Sequence, residues 1–206
     1  MNENSAIDRV REIRRLDVET PLGVVHLAGF AQKPDHRSVI FDILSEYWGA
    51  SVTADDLVES KGDTRPQFPK LDFDVNWTHS DGFCVCAFGE RGSLVRLRIG
   101  VDLEKYSPKR IHLAERFFSK EESALLTNMD GEAAQGEFFR LWCRKEAFYK
   151  CVGGNFFEGT LRRNMQKNPM FVETPDSKPF VVHFLDLDAA VIGAPMRAAL
   201  CVAVSR

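Results

Sequence analysis

An α+β fold of two similar α/β lobes related by pseudo-twofold symmetry is the architecture that this chain of 206 residues predicts. Three observations point there. Strand-like runs recur in both halves of the chain, near 1–90 and near 91–206. Each half also carries a long segment with apolar residues at helical spacing. A hydrophobic content of 44% lets a chain of this length bury a full core without disulfide or metal staples. The two lobes are accordingly expected at 1–90 and 91–206.

The elements follow in order. Strand-like runs near 13–19 and 22–30 precede a helix opened by Pro34, with Val39, Ile40, Ile43, Leu44, Tyr47 and Trp48 at helical spacing and Gly49 closing it. A turn-rich stretch over 61–69 leads to a short strand at 73–76 and another at 83–88, with Asp81-Gly82 as the tight turn before it. The next strand spans 96–104. Ser107-Pro108 reads as a helix start, Ser119-Lys120-Glu121-Glu122 as a capping box, and 132–152 as a long helix stopped by Gly153-Gly154. Strands return near 180–187 and 197–204.

Composition narrows the function. The five cysteines at 84, 86, 143, 151 and 201 include no pair at zinc-knuckle or redox spacing and have apolar neighbours, so they read as reduced core residues. A polar N-terminus and the lack of any membrane-length apolar run give the expectation of a soluble, cytoplasmic protein with no membrane partner. A net charge of −3 argues against bulk nucleic-acid binding, although basic residues gather over 91–98 and 105–116. Neither a P-loop nor a dinucleotide fingerprint occurs, and there is no Gly-x-Ser-x-Gly elbow to make a hydrolase of the adjacent His79 and Ser80.

Acidic residues carry the strongest chemical signal. Asp102 and Glu104, two apart on an extended segment, point to one face while Leu103 turns into a core. Two carboxylates that close favour a cation between them, and hard oxygen donors suit magnesium. The same spacing also suits a solvated edge strand. Glu146 adds a third acid from the long helix, where Trp142, Glu146 and Lys150 form one stripe opposite Phe138, Leu141, Phe148 and Val152. Before the 83–88 strand, Asn76-Trp77-Thr78-His79-Ser80 offers a histidine and two hydroxyls to an anion.

Taken in order, Arg65-Pro66, Asn76-Trp77-Thr78-His79-Ser80, Gly100-Val101-Asp102-Leu103-Glu104, Arg116-Phe117-Phe118-Ser119-Lys120-Glu121-Glu122 and Trp142-Cys143-Arg144-Lys145-Glu146-Ala147-Phe148-Tyr149-Lys150 resemble the signatures of the 4′-phosphopantetheinyl transferases, in the order and spacing of the larger, Sfp-type class. A looser likeness covers 35–48. The resemblance implies a pseudo-dimeric fold with coenzyme A in the cleft between two lobes, the N-terminal lobe holding the nucleotide and the C-terminal lobe the metal and catalytic motifs. It implies magnesium-dependent transfer of 4′-phosphopantetheine from coenzyme A to a serine of an apo acyl or peptidyl carrier protein. Adenosine 3′,5′-bisphosphate is released, and a monomer suffices.

Roles follow from the same likeness. Asp102, Glu104 and Glu146 would be the metal ligands. Lys150 would meet the pyrophosphate, and Lys145 would be a supporting phosphate contact or a plain solvated charge. His79 would meet the 3′-phosphate with help from Thr78, while Arg37 and Arg65 would contact the nucleotide end. Glu122, Glu146 or a metal-bound water would accept the serine proton, with Glu122 also available as a capping residue. The carrier would dock through Lys105, Lys109 and Arg110. Two departures stand out: Asp81 lies close to the phosphate site, and Lys33 alone replaces a basic cluster ahead of the first helix. A non-catalytic coenzyme A-binding protein and a metal-dependent phosphohydrolase are the alternatives.

Overall fold

A computed structural model describes residues 13–59, 65–91, 96–107, 111–153, 156–174, 177–188 and 196–205. In the first half, β1 (Arg14–Thr20), β2 (Gly23–Ala31), β3 (Phe73–Ser80) and β4 (Phe83–Glu90) form an antiparallel sheet in the order β1-β2-β4-β3. Helix α1 (His36–Trp48) starts two residues after Pro34, with Asp35 as its N-cap, and ends at Gly49, whose φ of 69° only glycine adopts cheaply. In the second half, β5 (Arg96–Glu104), β6 (Met170–Thr174), β7 (Ser177–Asp188) and β8 (Arg197–Ser205) are ordered β5-β8-β7-β6. Between β5 and β6 lie α2 (Leu113–Phe117), α3 (Lys120–Thr127) and α4 (Gly131–Val152).

The pseudo-twofold relation appears in the topology. Strand, helix and antiparallel strand pair recur as β2, α1, β3, β4 and as β5, α2–α4, β7, β8, and the sheet orders match as β2-β4-β3 and β5-β8-β7. β1 and β6 are added at outer edges.

Alternation along the strands makes four layers. Val25, Leu27, Val85 and Ala87 face Leu97, Ile99, Val101, Leu103, Leu200 and Val202 across the two sheets. Intervening residues Ala28, Phe30, Cys84 and Cys86 pack on α1, and Phe180, Val182, Phe184 and Cys201 pack on the helices of the second half. Both faces of the central strands are therefore buried, whereas β1 has no fully buried residue and Phe171 of β6 is exposed. All five cysteines are buried and unpaired, as expected. Among the described residues no helix is long and apolar enough to cross a membrane.

β3 differs from its expected extent. It continues to Ser80, pairing with β4 from Phe73↔Glu90 to Ser80↔Phe83, so Thr78 and His79 sit at the end of one strand rather than ahead of another. The reason is that its polar residues face inward. Asp74 Oδ2 accepts the Ile99 amide at 2.7 Å and Asn76 Oδ1 accepts the Val101 amide at 3.1 Å, both from β5. Buried polar side chains thus pair with another strand's backbone and give a strand with little apolar signature. The expected helix start at 107–108 falls partly outside the described residues, and so do Lys109 and Arg110.

Gly100 sets the distance between β5 and α4. A β-carbon there would lie 2.0 Å from the Ala147 carbonyl oxygen and 2.6 Å from the Cys151 amide nitrogen. Gly100→Ala is expected to destabilise the fold by about 1–3 kcal/mol through overpacking. An unchanged urea midpoint would show that α4 is not seated on β5 in this way.

Candidate functional site

With Leu97, Ile99, Val101 and Leu103 turned into the inter-sheet core, Gly100, Asp102 and Glu104 are left on the β5 face that α4 covers. Close packing at Gly100 brings the Glu146 and Lys150 stripe of α4 over that face, and the end of β3 reaches it from the other lobe. Together Trp77, Thr78, His79, Ser80, Asp102, Leu103, Glu104, Glu146 and Lys150 line a cleft of about 340 Å³ between the lobes.

A three-way hydrogen bond lies at its floor. Lys150 Nζ donates to Asp102 Oδ1 at 2.6 Å, to Thr78 Oγ1 at 3.1 Å and to the Val101 carbonyl at 3.3 Å. Thr78 Oγ1 in turn donates to Asp102 Oδ1 at 3.3 Å. Asp102 is 4% exposed, and its second oxygen, Oδ2, is buried with no hydrogen-bond partner. Such an atom is costly to leave unmatched. Burial, together with the negative charges of Asp102 and Glu104, holds the nearby Cys143 thiol well above its usual range, so it stays a neutral thiol behind Asp102.

The donor chemistry fits a hard divalent cation: an unmatched carboxylate oxygen, with Glu104 and Glu146 bordering the same space. The geometry is not that of a closed site. Among the described residues no group of three His, Cys, Asp or Glu side chains is close enough to hold a metal ion, and Lys150 supplies the positive charge beside Asp102.

Glu122 fills the capping role open to it, and with Lys145 it forms a buried pair away from the cleft lining. Both are fully buried, with Lys145 Nζ 2.7 Å from Glu122 Oε2, 2.9 Å from the Leu161 carbonyl and 2.6 Å from the Arg163 carbonyl. Glu122 Oε1 accepts the Met165 amide at 2.8 Å, while Oε2 also accepts the Ser119 amide as the second half of the capping box. Burial lowers Lys145 to about 8 against the opposing pull of Glu122. The pair ties α3, α4 and the 161–165 segment together, and neither charge reaches the cleft. Outside the cleft lining are Arg37, paired with Glu59 at 2.8 Å and lying 6.0 Å from the Trp77 ring, and Arg65, which lies near Asp74.

Asp81 does not stand as a bare charge beside His79. At the turn, with φ of 47°, it pairs with Lys105 of the other lobe at 2.6 Å. Sequence reasoning missed His36, whose ring meets that of His79 edge-on with centroids 5.4 Å apart. Its place beside Arg37 at the helix start was visible; its partner 43 positions on was not.

A family model described as the 4′-phosphopantetheinyl transferase superfamily matches residues 98–191. The 4′-phosphopantetheinyl transferase Sfp of Bacillus subtilis (strain 168) is 32% identical over 161 residues, covering 72% of this chain and 67% of that protein. The transferase psf-1 of Bacillus pumilus is 31% identical over 65% of this chain and 57% of its own length. For gsp of Aneurinibacillus migulanus the figures are 33%, 43% and 36%. The chain thus spans about two thirds of the first relative and less of the other two.

Removing one partner of a buried ion pair leaves an uncompensated charge. Glu122→Leu and Lys145→Met are each expected to lower the unfolding free energy by about 3–5 kcal/mol, and the double variant to recover much of the loss. Additive losses in denaturant titrations would show that the two do not act as a pair.

Proposed function

This chain belongs to the 4′-phosphopantetheinyl transferase superfamily, and on that premise we propose that it is a holo-carrier-protein synthase. It transfers 4′-phosphopantetheine from coenzyme A to a serine hydroxyl of an apo acyl or peptidyl carrier protein. The observation that carries this reading is the cleft itself. Thr78 and His79, Asp102 and Glu104, and Glu146 and Lys150 come from three separate stretches of sequence, yet they line one space between the two lobes.

The reaction forms a bond from the serine oxygen to the phosphorus bearing pantetheine and breaks the pyrophosphate bridge. Adenosine 3′,5′-bisphosphate departs and the serine loses its proton. Catalysis of this kind depends on positioning and on neutralising phosphate charge. Lys150, at the floor of the cleft, is suited to meet the pyrophosphate oxygens, and Thr78 orients its ammonium. His79, exposed at the rim, is suited to the 3′-phosphate, with Arg37 and Arg65 on the nucleotide side in the N-terminal lobe. Glu146 borders the cleft and takes the serine proton; Glu122, sealed against Lys145, does not.

Magnesium is proposed at Asp102 Oδ2, Glu104 and Glu146, whose hard oxygens match it. When bound, it supplies charge neutralisation at the pyrophosphate, which lets three acids border a polyanionic substrate. Lys105, paired with Asp81 on the surface, is a candidate contact for an acidic carrier helix. Buried, unpaired thiols, with Cys84 raised to about 12 by burial, suit a reducing compartment such as the cytoplasm. The two lobes complete one cleft within one chain, which supports a monomer.

Intact-mass measurement of an apo carrier protein incubated with the protein, coenzyme A and magnesium tests the reading. The expected result is a gain of one phosphopantetheinyl group that EDTA abolishes. Asp102→Ala and Glu146→Ala are each expected to slow transfer at least about a hundredfold while remaining folded. Coenzyme A binding without transfer to several carriers would favour a binding protein, and release of inorganic phosphate a phosphohydrolase.

A further inference from the structure

We propose that His36 is a second imidazole contact for the ligand's terminal phosphomonoester, forming with His79 and Arg37 an anion corner at the N-terminal rim of the cleft. The inference rests on the coenzyme A reading above and deepens it by assigning a residue that the sequence motifs pass over.

The geometry is that of three basic side chains gathered from two elements. α1 begins where β3 ends, which sets the His36 and His79 rings edge-on with centroids 5.4 Å apart. Arg37 follows His36 directly and lies 6.0 Å from the ring of Trp77, itself part of the cleft wall beside His79. Rings at that distance can both point N–H groups at one phosphate oxygen cluster, whereas without an anion their positive forms repel each other.

The groups around His36 bear this out. Burial, then the charges of His79 and Arg37, lower its pKa, while Asp35 and a hydrogen bond to the Lys33 carbonyl oppose the shift. Asp35 is engaged as the cap of α1, accepting the Ser38 amide at 3.4 Å, and Glu59 is drawn to Arg37 at 2.8 Å. The corner therefore holds its imidazole neutral when empty, and a doubly charged phosphate favours the protonated form. Its pKa is higher in the complex than in the free protein, so binding takes up protons. Affinity is then greatest where the ring protonates readily and falls as pH rises.

Calorimetry with two nucleotides tests the assignment. Adenosine 3′,5′-bisphosphate and adenosine 5′-monophosphate are titrated into the wild-type protein and His36→Gln at pH about 7 and about 8.5, in buffers of different ionisation enthalpy. The expected result is a wild-type preference for the bisphosphate with proton uptake. His36→Gln then weakens the bisphosphate about tenfold and reduces the uptake, leaving the monophosphate unchanged. Equal losses for both nucleotides, or an unchanged bisphosphate affinity and proton uptake, would overturn the role of His36. Should the variant not fold, wild-type titrations alone decide, since bisphosphate binding without proton uptake removes the corner. A wild-type protein that binds neither nucleotide fails the coenzyme A reading itself.

Discussion

The joint between β3 and β5 is what the remaining geometry depends on. Each strand ends its own sheet, and a row of unpaired edge amides inside a protein carries a penalty of about 1–3 kcal/mol for each group left unmatched. Here Asp74 and Asn76 accept two of the β5 amides through their side chains, and Thr78, two residues further along, reaches Asp102. Had β3 and β5 paired through their backbones, the two sheets would have merged into one. Side-chain pairing instead lets the lobes meet face to face while the end of β3 stands off from β5. That stand-off is the cleft. Burial raises the Asp74 carboxyl above the usual range, and the Ile99 amide, Arg65, Arg91 and Arg98 oppose that rise without cancelling it.

Periodicity made part of this legible. Asp102 and Glu104 lie on one face because strands repeat every two residues, and Glu146 and Lys150 on one stripe because helices repeat every 3.6. Those rules place each group on its own element, and the ordered motifs joined the elements into a family pattern. The capping box was readable too, since Ser119 and Glu122 exchange local bonds. What could not be read was what else the Glu122 carboxylate meets. Lys145 shares the capping oxygen and Met165 binds the other, at 23 and 43 positions, and no local rule reports a contact at that range. β3 was read short for a related reason: beyond Asn76, Thr78 is a polar residue on a buried face, and polarity alone suggests solvent.

Lys145 and Glu146 show how one helix serves two environments. Adjacent helical residues point about 100° apart, so one step along α4 passes from a sealed ion pair to the wall of an open cleft. Lys145 anchors the helix from behind through Glu122 and two carbonyl oxygens, and Gly100 fixes its distance from β5 in front. Glu146 is held between these restraints. A charge so anchored has little freedom to drift, which matters where a small displacement of a reacting group reduces rate steeply.

Charge balance completes the account. Asp102, Glu104 and Glu146 border a cleft whose proposed substrate is itself a polyanion, an arrangement that repels binding unless positive charge is present. Lys150 provides part of that charge at 2.6 Å from Asp102 Oδ1, but its ammonium is directed at one oxygen only. The other oxygen of the same carboxylate is buried and unmatched. A lysine moved closer could not satisfy both, because the Thr78 hydroxyl and the Val101 carbonyl already fix where its nitrogen sits. The proposed magnesium would bring a second positive charge to the Oδ2 side, where the carboxylate oxygen is unmatched.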